Sequence, residues 1–350
     1  MVQVDSMLFK EEQLYSWGEK VLDECGLPKE DHKYVLDALI FSNLRGVDTH
    51  GINLVTSYAQ KYKDVPPSHI KVIIDKGAVA LIDGGANMGA IVSNRAINFA
   101  IEKASNFGIG LALAKNSNHF GAAAHYPILA ANRGFIGFCS TTALVNLAPW
   151  GGLDMIVGKN PFAISFPYEK FPIVLDVSCS VAARQKVVAC AREGLPIPQG
   201  WAVDKNGNPT IDAKEALEGL FLPMGEHKGV GIAIMIDLLV AALCQGGYST
   251  EVKLDNVLTG SEPSHIGHIF IAIDPSFFIE GSARNDQLNS FYKRFHACRR
   301  IKGKEIFLPG EIEWNNFQER RKNGIPIAKT IIKELDEYSD KHSIPHICDL

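Results

Sequence analysis

Apolar residues keep helical spacing at both ends of this chain and fall into short β-prone runs between them. That pattern confines the fold to helices flanking a mixed α/β middle. Leu14, Trp17, Val21 and Leu22 share one helical face. Gly26 and Pro28 end that helix and start another, in which Leu36, Leu39 and Ile40 repeat the spacing. The first seventy residues thus read as helical, closed by the break at Pro66-Pro67. The texture then changes. Val72 to Ile74 and Val79 to Ile82 read as strands joined by the turn Asp75-Lys76-Gly77. Helical spacing returns with Val92, Ala96, Phe99 and Ala100. Further strands are expected at Gly110–Ala114, Phe135–Thr141, Phe162–Phe166, Ile173–Val177 and His268–Ile273, with helices over Ala122–Ala131 and Val181–Arg192. From Asn285 the helical pattern dominates, ending with Ile331, Leu335 and Tyr338 on one face. The simplest layout is a helical domain built from residues 1–75 together with 300–350, around a central α/β domain at 76–299.

The 350 residues fit about two domains. A formal charge of -4, with no Lys/Arg run, gives no reason to expect a nucleic acid partner. Seven scattered cysteines without a C-x-x-C pair suit reduced thiols in the cytoplasm better than disulfides or a zinc site. Met1 to Lys10 carries no basic-then-apolar leader pattern. The longest apolar run, Val230 to Cys244, is too short to span a bilayer and contains Asp237, so it reads as a buried helix and no membrane association is expected.

Several familiar motifs fail on inspection. Gly108-Ile-Gly110-Leu-Ala-Leu and Gly229-Val-Gly231-Ile-Ala-Ile both lack the third glycine of a dinucleotide fingerprint. Gly152 to Asn160 imitates a phosphate loop, but its glycines are spaced wrongly and Asn160 replaces the Ser/Thr that would hold magnesium. His119 and His125, and likewise His265 and His268, lack the carboxylate or cysteine company of a metal site, so no metal is expected.

Four polar islands stand in apolar surroundings: Thr49-His50-Gly51, Asn116 to Gly121, Gly158-Lys159-Asn160-Pro161, and Asp176-Val-Ser178-Cys-Ser180. Polar loops at strand ends and helix termini are where phosphates and reacting groups can be held. Histidine, with an ordinary pKa near neutrality, suits proton exchange with a substrate hydroxyl. His50 and His119 are therefore candidate acid/base groups, and structural histidines capping loops are the plain alternative.

Asn43-Leu-Arg-Gly-Val-Asp-Thr-His-Gly, Asn116-Ser-Asn-His-Phe-Gly, Lys159-Asn-Pro-Phe-Ala-Ile, Gly200-Trp-Ala-Val-Asp-Lys-Asn-Gly-Asn-Pro-Thr and Lys228-Gly-Val-Gly run through the chain. Gly267-His-Ile-Phe-Ile-Ala-Ile-Asp and Leu308-Pro-Gly-Glu follow. Together, in this order and over nearly the whole chain, they resemble the type-2 malate/L-lactate dehydrogenase family, which also holds sulfolactate, ureidoglycolate and 2,3-diketogulonate oxidoreductases. The resemblance implies an α+β fold with a nicotinamide-binding domain unlike Rossmann's, built on a mixed or antiparallel sheet. It implies a homodimer whose cofactor cleft the partner subunit completes. The cofactor would be NAD, with NADP as the alternative, and the substrate a small 2-hydroxy or 2-oxo acid, malate or L-lactate first.

Carried over residue by residue, His50 matches the proton donor of several members, with Thr49 beside it, and His119 that of others. Asp176 joins this catalytic set and, with Val177 and Ser178, lines the cofactor. His119, Phe120, Gly121 and Ala122 form a loop approaching the dinucleotide, and Lys228 with Gly229 meets its phosphate or ribose oxygens. Tyr58 holds a substrate-side position. The chain departs from the pattern at Leu54, where the family carries an arginine that grips the substrate carboxylate. Either another cation such as Arg184 compensates or the substrate differs. A second departure, Asp176-Val-Ser-Cys-Ser for a Met-Ala-Thr-Ser continuation, keeps its hydroxyls. Arg45 and Asp48 suit a clamp on each other or on a helix end as well as a substrate contact. The alternatives are a non-catalytic cofactor-binding or regulatory protein, a reductase of another 2-oxo or cyclic imino acid, and, with little support, a metal hydrolase.

Overall fold

The computed structural model describes residues 5–252 and 262–350, so the N-terminal reading applies only from Asp5 onward. Two helices, Glu11–Glu24 and Lys29–Leu44, open the chain at the positions their apolar spacing indicates. Leu14, Trp17, Val21 and Leu22 are fully buried, as are Leu36 and Leu39. Their core is shared with the far end of the chain: Ile325, Ile332, Leu335 and Ile347 belong to the same apolar cluster. The Trp17 indole N–H donates to Ser339 Oγ at 3.2 Å, which stitches the first helix to Lys329–His342.

One element in this region departs from the all-helical reading. Ser6–Phe9 is a strand, paired antiparallel with Ile325–Ala328. Four residues are too few to display a period, and the pairing partner lies at the other end of the chain.

The middle is a seven-stranded mixed sheet. From one edge it runs Lys71–Lys76, Val79–Asp83, Ile109–Ser117, Ile266–Ile273, Ile136–Thr141, Phe162–Phe166 and Ile173–Val177. Only Val79–Asp83 and Ile109–Ser117 pair in parallel, and the helix Gly89–Phe107 makes the crossover between them. The two faces of the sheet differ in side-chain size. Ala80, Ala112, Ala114 and Ala272 lie under Gly89–Phe107 and His125–Ala131, while Leu81, Leu111, Leu113, Ile269 and Ile271 meet the helix His227–Asp237 on the other face. Alternation of small and large residues along single strands sets how closely each helix layer approaches.

The rejected glycine motif now has a physical reading. Gly108 caps Gly89–Phe107 in the left-handed region (φ 79°), its N–H bonding Ala104 O at 2.8 Å. Gly110 lies beneath that same helix, where a Cβ would sit 2.0 Å from Ala100 O. The helix precedes the strand here, the reverse of a dinucleotide fingerprint.

The apolar run Val230 to Cys244 corrects the reading as a buried helix. It is helical over His227–Asp237 and continues as a π-turn over Leu238–Ala242, but only one face is covered. Val230, Ala233, Ile236 and Val240 are buried, whereas Ile232, Ile234, Met235, Leu238, Leu239 and Leu243 are exposed. Among the described residues no helix is long and apolar enough to cross a membrane.

Substituting Gly110→Ala forces a methyl group against helix backbone rather than against a pliable side chain. Overpacking of this kind costs about 1–3 kcal/mol. The urea midpoint is expected to fall at constant slope; an unchanged midpoint would mean the helix can lift off the strand freely.

Candidate active site

The helix Lys29–Leu44 ends at Arg45, Gly46 turns the chain in the left-handed region (φ 80°), and a single 3-10 turn over Asp48–His50 follows. This turn is held from behind. The buried Asn43 accepts the Ile52 N–H at 2.7 Å and donates to Asp48 Oδ1 at 2.9 Å. A Cβ on Gly51 would strike that amide at 2.2 Å. Arg320, on the helix Glu311–Asn323, donates to Asn43 O at 2.5 Å and to both Asp48 oxygens at 2.7 and 3.1 Å. Asp48 therefore clamps Arg320 and not Arg45. The Arg45 guanidinium lies 5.4 Å over the Phe41 ring and faces the charges of Glu313 and Asp176.

His119 follows the strand Ile109–Ser117. The buried Asn118 secures its loop, donating to Ala86 O at 2.7 Å and Asn87 O at 2.9 Å. His268 stands behind, hydrogen-bonded to Thr141 Oγ1 and Ser117 Oγ at 2.8 Å each and stacked on Phe120 at 4.8 Å. It is a structural support for the loop. Tyr58 Oη and His119 Nδ1 are 2.6 Å apart, and the Gly121 N–H also points at Nδ1, at 3.4 Å. An amide N–H can only donate, so Nδ1 is the accepting nitrogen and the ring proton sits on Nε2.

The two imidazoles meet. His50 and His119 stack with centroids 5.6 Å apart, and Thr49 Oγ1 lies 2.9 Å from His50 Nδ1. Burial, then the Lys159 charge, lowers His50 to about 4. Burial first, then His50, Lys159 and His268, lowers His119 to about 3. Both rings are thus neutral at pH 7. Asp176, at the end of Ile173–Val177, accepts the Ala124 N–H at 2.8 Å. It lies on the cleft floor, where surrounding protein raises it to about 6 against the pull of Ala124 N–H and Arg45.

Thr49, His50, Gly121, Ala122, Asp176, Val177 and Ser178 line one cleft of about 900 Å³. Tyr58 and His119 line a small adjoining pocket, and Phe120 is buried behind them. Gly121 is in the left-handed region (φ 81°) with open space where a side chain would stand, so an extended ligand can lie against its backbone. Ser178 Oγ pairs with Ser180 Oγ at 3.1 Å. Three expected residues lie elsewhere. Arg184 is exposed at the start of Arg184–Glu193, and in the first turn of His227–Asp237 Lys228 is exposed and Gly229 buried; none of them lines the cleft. Leu54 is buried in the core of the terminal helices and also faces away. Arg45, weighed from sequence as a clamp or a substrate contact, lines it, as do Lys159 and Glu313, which were given no role. Lys159 had a signal in the Lys159-Asn-Pro motif. Among the described residues no three His, Cys, Asp or Glu side chains converge on a metal site.

The chain matches the family model described as malate/L-lactate dehydrogenase over residues 9–336. The L-sulfolactate dehydrogenase of Methanocaldococcus jannaschii is 37% identical over 320 residues, 91% of this chain and 92% of the relative. The malate dehydrogenase of Pyrococcus horikoshii is 34% identical over 343 residues, 94% of each chain. In structure, the sulfolactate dehydrogenase from Methanocaldococcus jannaschii superposes with a TM-score of 0.91 at 34% identity, covering 98% of this chain and 99% of that one. Malate dehydrogenase from Pyrococcus horikoshii OT3 superposes at 0.88 and 32% identity, covering 99% of both.

The buried histidines fix a pH response. His50 and His125 are lowered to about 4 and His119 and His268 to about 3, all chiefly by burial. Between pH 6.5 and about 4 the unfolded chain binds protons at these rings that the native chain does not, so stability falls as pH falls through that window. Asp176, raised to about 6, acts oppositely and offsets part of the effect. The calorimetric melting temperature is expected to drop from pH 7 to pH 5; a level or rising midpoint would show that these rings charge without unfolding.

Proposed function

The chain belongs to the malate/L-lactate dehydrogenase family, and on that premise we propose that it oxidises malate or L-lactate with NAD as acceptor. It is a nicotinamide-dependent 2-hydroxyacid dehydrogenase. The observation that carries the site assignment is the stacked pair of neutral imidazoles, His50 on the cleft wall and His119 in the small pocket beside it.

The two histidines divide the work by tautomer. His50 Nδ1 lies 2.9 Å from Thr49 Oγ1, and in the tautomer that donates to this hydroxyl its Nε2 is bare to take the proton of the substrate C2 hydroxyl. His119, its Nδ1 occupied from Gly121 and Tyr58, presents Nε2–H as a donor to the same oxygen and polarises it. Tyr58 thereby acts through His119. A bound nicotinamide would supply the acceptor for the hydride that leaves the substrate C2. The open backbone at Gly121 and Ala122 gives a dinucleotide a surface to lie on. Val177 and Ser178 flank it, and Asp176, with one oxygen fixed by Ala124 N–H, offers the other to a ribose or amide group.

A homodimer is part of this proposal. The uncovered aliphatic side chains of Ile232, Met235, Leu238 and Leu239 form a face that water penalises and a second copy would cover. Lys228 and Gly229, outside this chain's cleft, begin that same helix. Seven unpaired cysteines support a cytoplasmic setting. The division into a domain of both termini and a central domain is retained as a proposal, supported by the separate apolar clusters.

Purified protein with NAD or NADP and a panel of 2-hydroxy acids should generate reduced-nicotinamide absorbance, strongest with malate or L-lactate. Silence with both cofactors despite measurable cofactor binding would favour the non-catalytic reading. His50→Ala and His119→Ala are each expected to lower turnover about a hundredfold or more. Near-normal turnover in either variant removes that ring from its role.

A further inference from the structure

We propose that Lys159 is the specificity-determining cation of the cleft and grips the substrate's C1 carboxylate. The inference rests on the dehydrogenase reading above and names the group that recognises its substrate class. A 2-hydroxy acid places its carboxylate one bond from the carbinol carbon. The anchoring cation must therefore stand beside the acid/base groups. Lys159 lines the same cleft as Thr49, His50 and Asp176. Its charge acts on both His50 and His119, lowering each.

The other cations are committed or misplaced. Arg45 faces Asp176 and Glu313. Arg320 is spent on Asp48 and Asn43 O. Lys186, on the cleft rim, and Arg184 are exposed. Leu54 lies in the helical core. The Lys159 ammonium has no hydrogen-bond or ion-pair partner among the described residues, although burial lowers its affinity for a proton. A partly buried ammonium on a cleft wall with no partner of its own is placed to meet an anion that arrives from outside.

The backbone that presents Lys159 is over-determined. Lys159 O accepts the Cys179 N–H at 2.8 Å. The next residue, Asn160, is fully buried in the left-handed region (φ 26°), a strained state for a side-chain-bearing residue. Its Oδ1 accepts the Ala143 N–H at 2.9 Å, and its Nδ2 donates to Ala233 O at 2.9 Å. Ser249 Oγ lies 3.2 Å from the same Oδ1 and gives its proton to the buried Asp237 at 2.7 Å. Strain held by this many bonds fixes where the next side chain stands, and that side chain is Lys159.

Two measurements on the intact protein test the assignment, with Lys159→Met and Lys159→Arg as variants. The first compares kcat/KM for L-lactate with that for neutral lactamide. Lys159→Met is expected to lose about ten- to hundredfold on the acid while the amide changes little, collapsing the preference, and Lys159→Arg is expected to keep most of it. The second is calorimetric titration with oxalate, which needs no turnover; wild type binds and Lys159→Met binds about ten- to hundredfold more weakly. NADH fluorescence titration checks that the variant's cofactor site is intact. An unchanged acid-to-amide preference, or undiminished oxalate binding in Lys159→Met, overturns the proposal. Wild-type silence toward every 2-hydroxy acid, with oxalate binding still lost in Lys159→Met, upholds the anion site and fails only the dehydrogenase reading.

Discussion

The bond set from Arg320 to Asp48 and Asn43 is the joint on which the site depends. It ties a C-terminal helix to the turn that carries His50, so that turn takes its position from both ends of the chain. A half-exposed ion pair contributes little to stability by itself. Its value here is geometric. The paired N–H donors of a guanidinium fix an angle as well as a distance, and the buried Asn43 converts that angle into the position of Gly51 and Ile52. His50 adds its contact with Thr49 and its stacking on His119 to that support.

Much of the fold was legible because its sheet is built from strands with strong local signatures. Phe162–Phe166 and Ile173–Val177 have the limits that composition and punctuation indicate. What escaped was non-local. Ser6–Phe9 becomes a strand through Ile325–Ala328, and no window of neighbouring residues contains that information. The run Val230 to Cys244 misled for a related reason. An unbroken apolar sequence fixes which residues avoid water but not whether one face waits for another surface.

The site was legible in a similar, partial way. The polar islands mark His50, His119, Asp176 and Lys159 because polar residues among apolar ones demand a reason. Which of them share a cleft is a matter of topology: the loop after Ile109–Ser117 and the end of Ile173–Val177 come together only across the sheet and its helices. Arg184 and Lys228 stand outside the cleft of the single chain, since a charged residue near a motif need not point where the motif points. Arg45 and Asp48 stand close in sequence yet answer to different partners, Asp48 to Arg320 and Arg45 to the acids across the cleft.

The electrostatics of the cleft follow from one asymmetry. Burial removes charge from both imidazoles, while the ammonium of Lys159, in the same surroundings, is lowered but begins from a far higher ordinary value. Two neutral rings beside one retained cation favour a ligand that carries a negative charge next to an oxygen able to exchange a proton. A 2-hydroxy acid has that arrangement, with the carboxylate and the carbinol on adjacent carbons. Leu54 is compatible with it because the side chain there is absorbed into the helical core, leaving anion recognition to a residue that does line the cleft. Moving the cation from a helix to a strained, heavily bonded turn changes how firmly it is held and leaves the chemistry it serves unchanged.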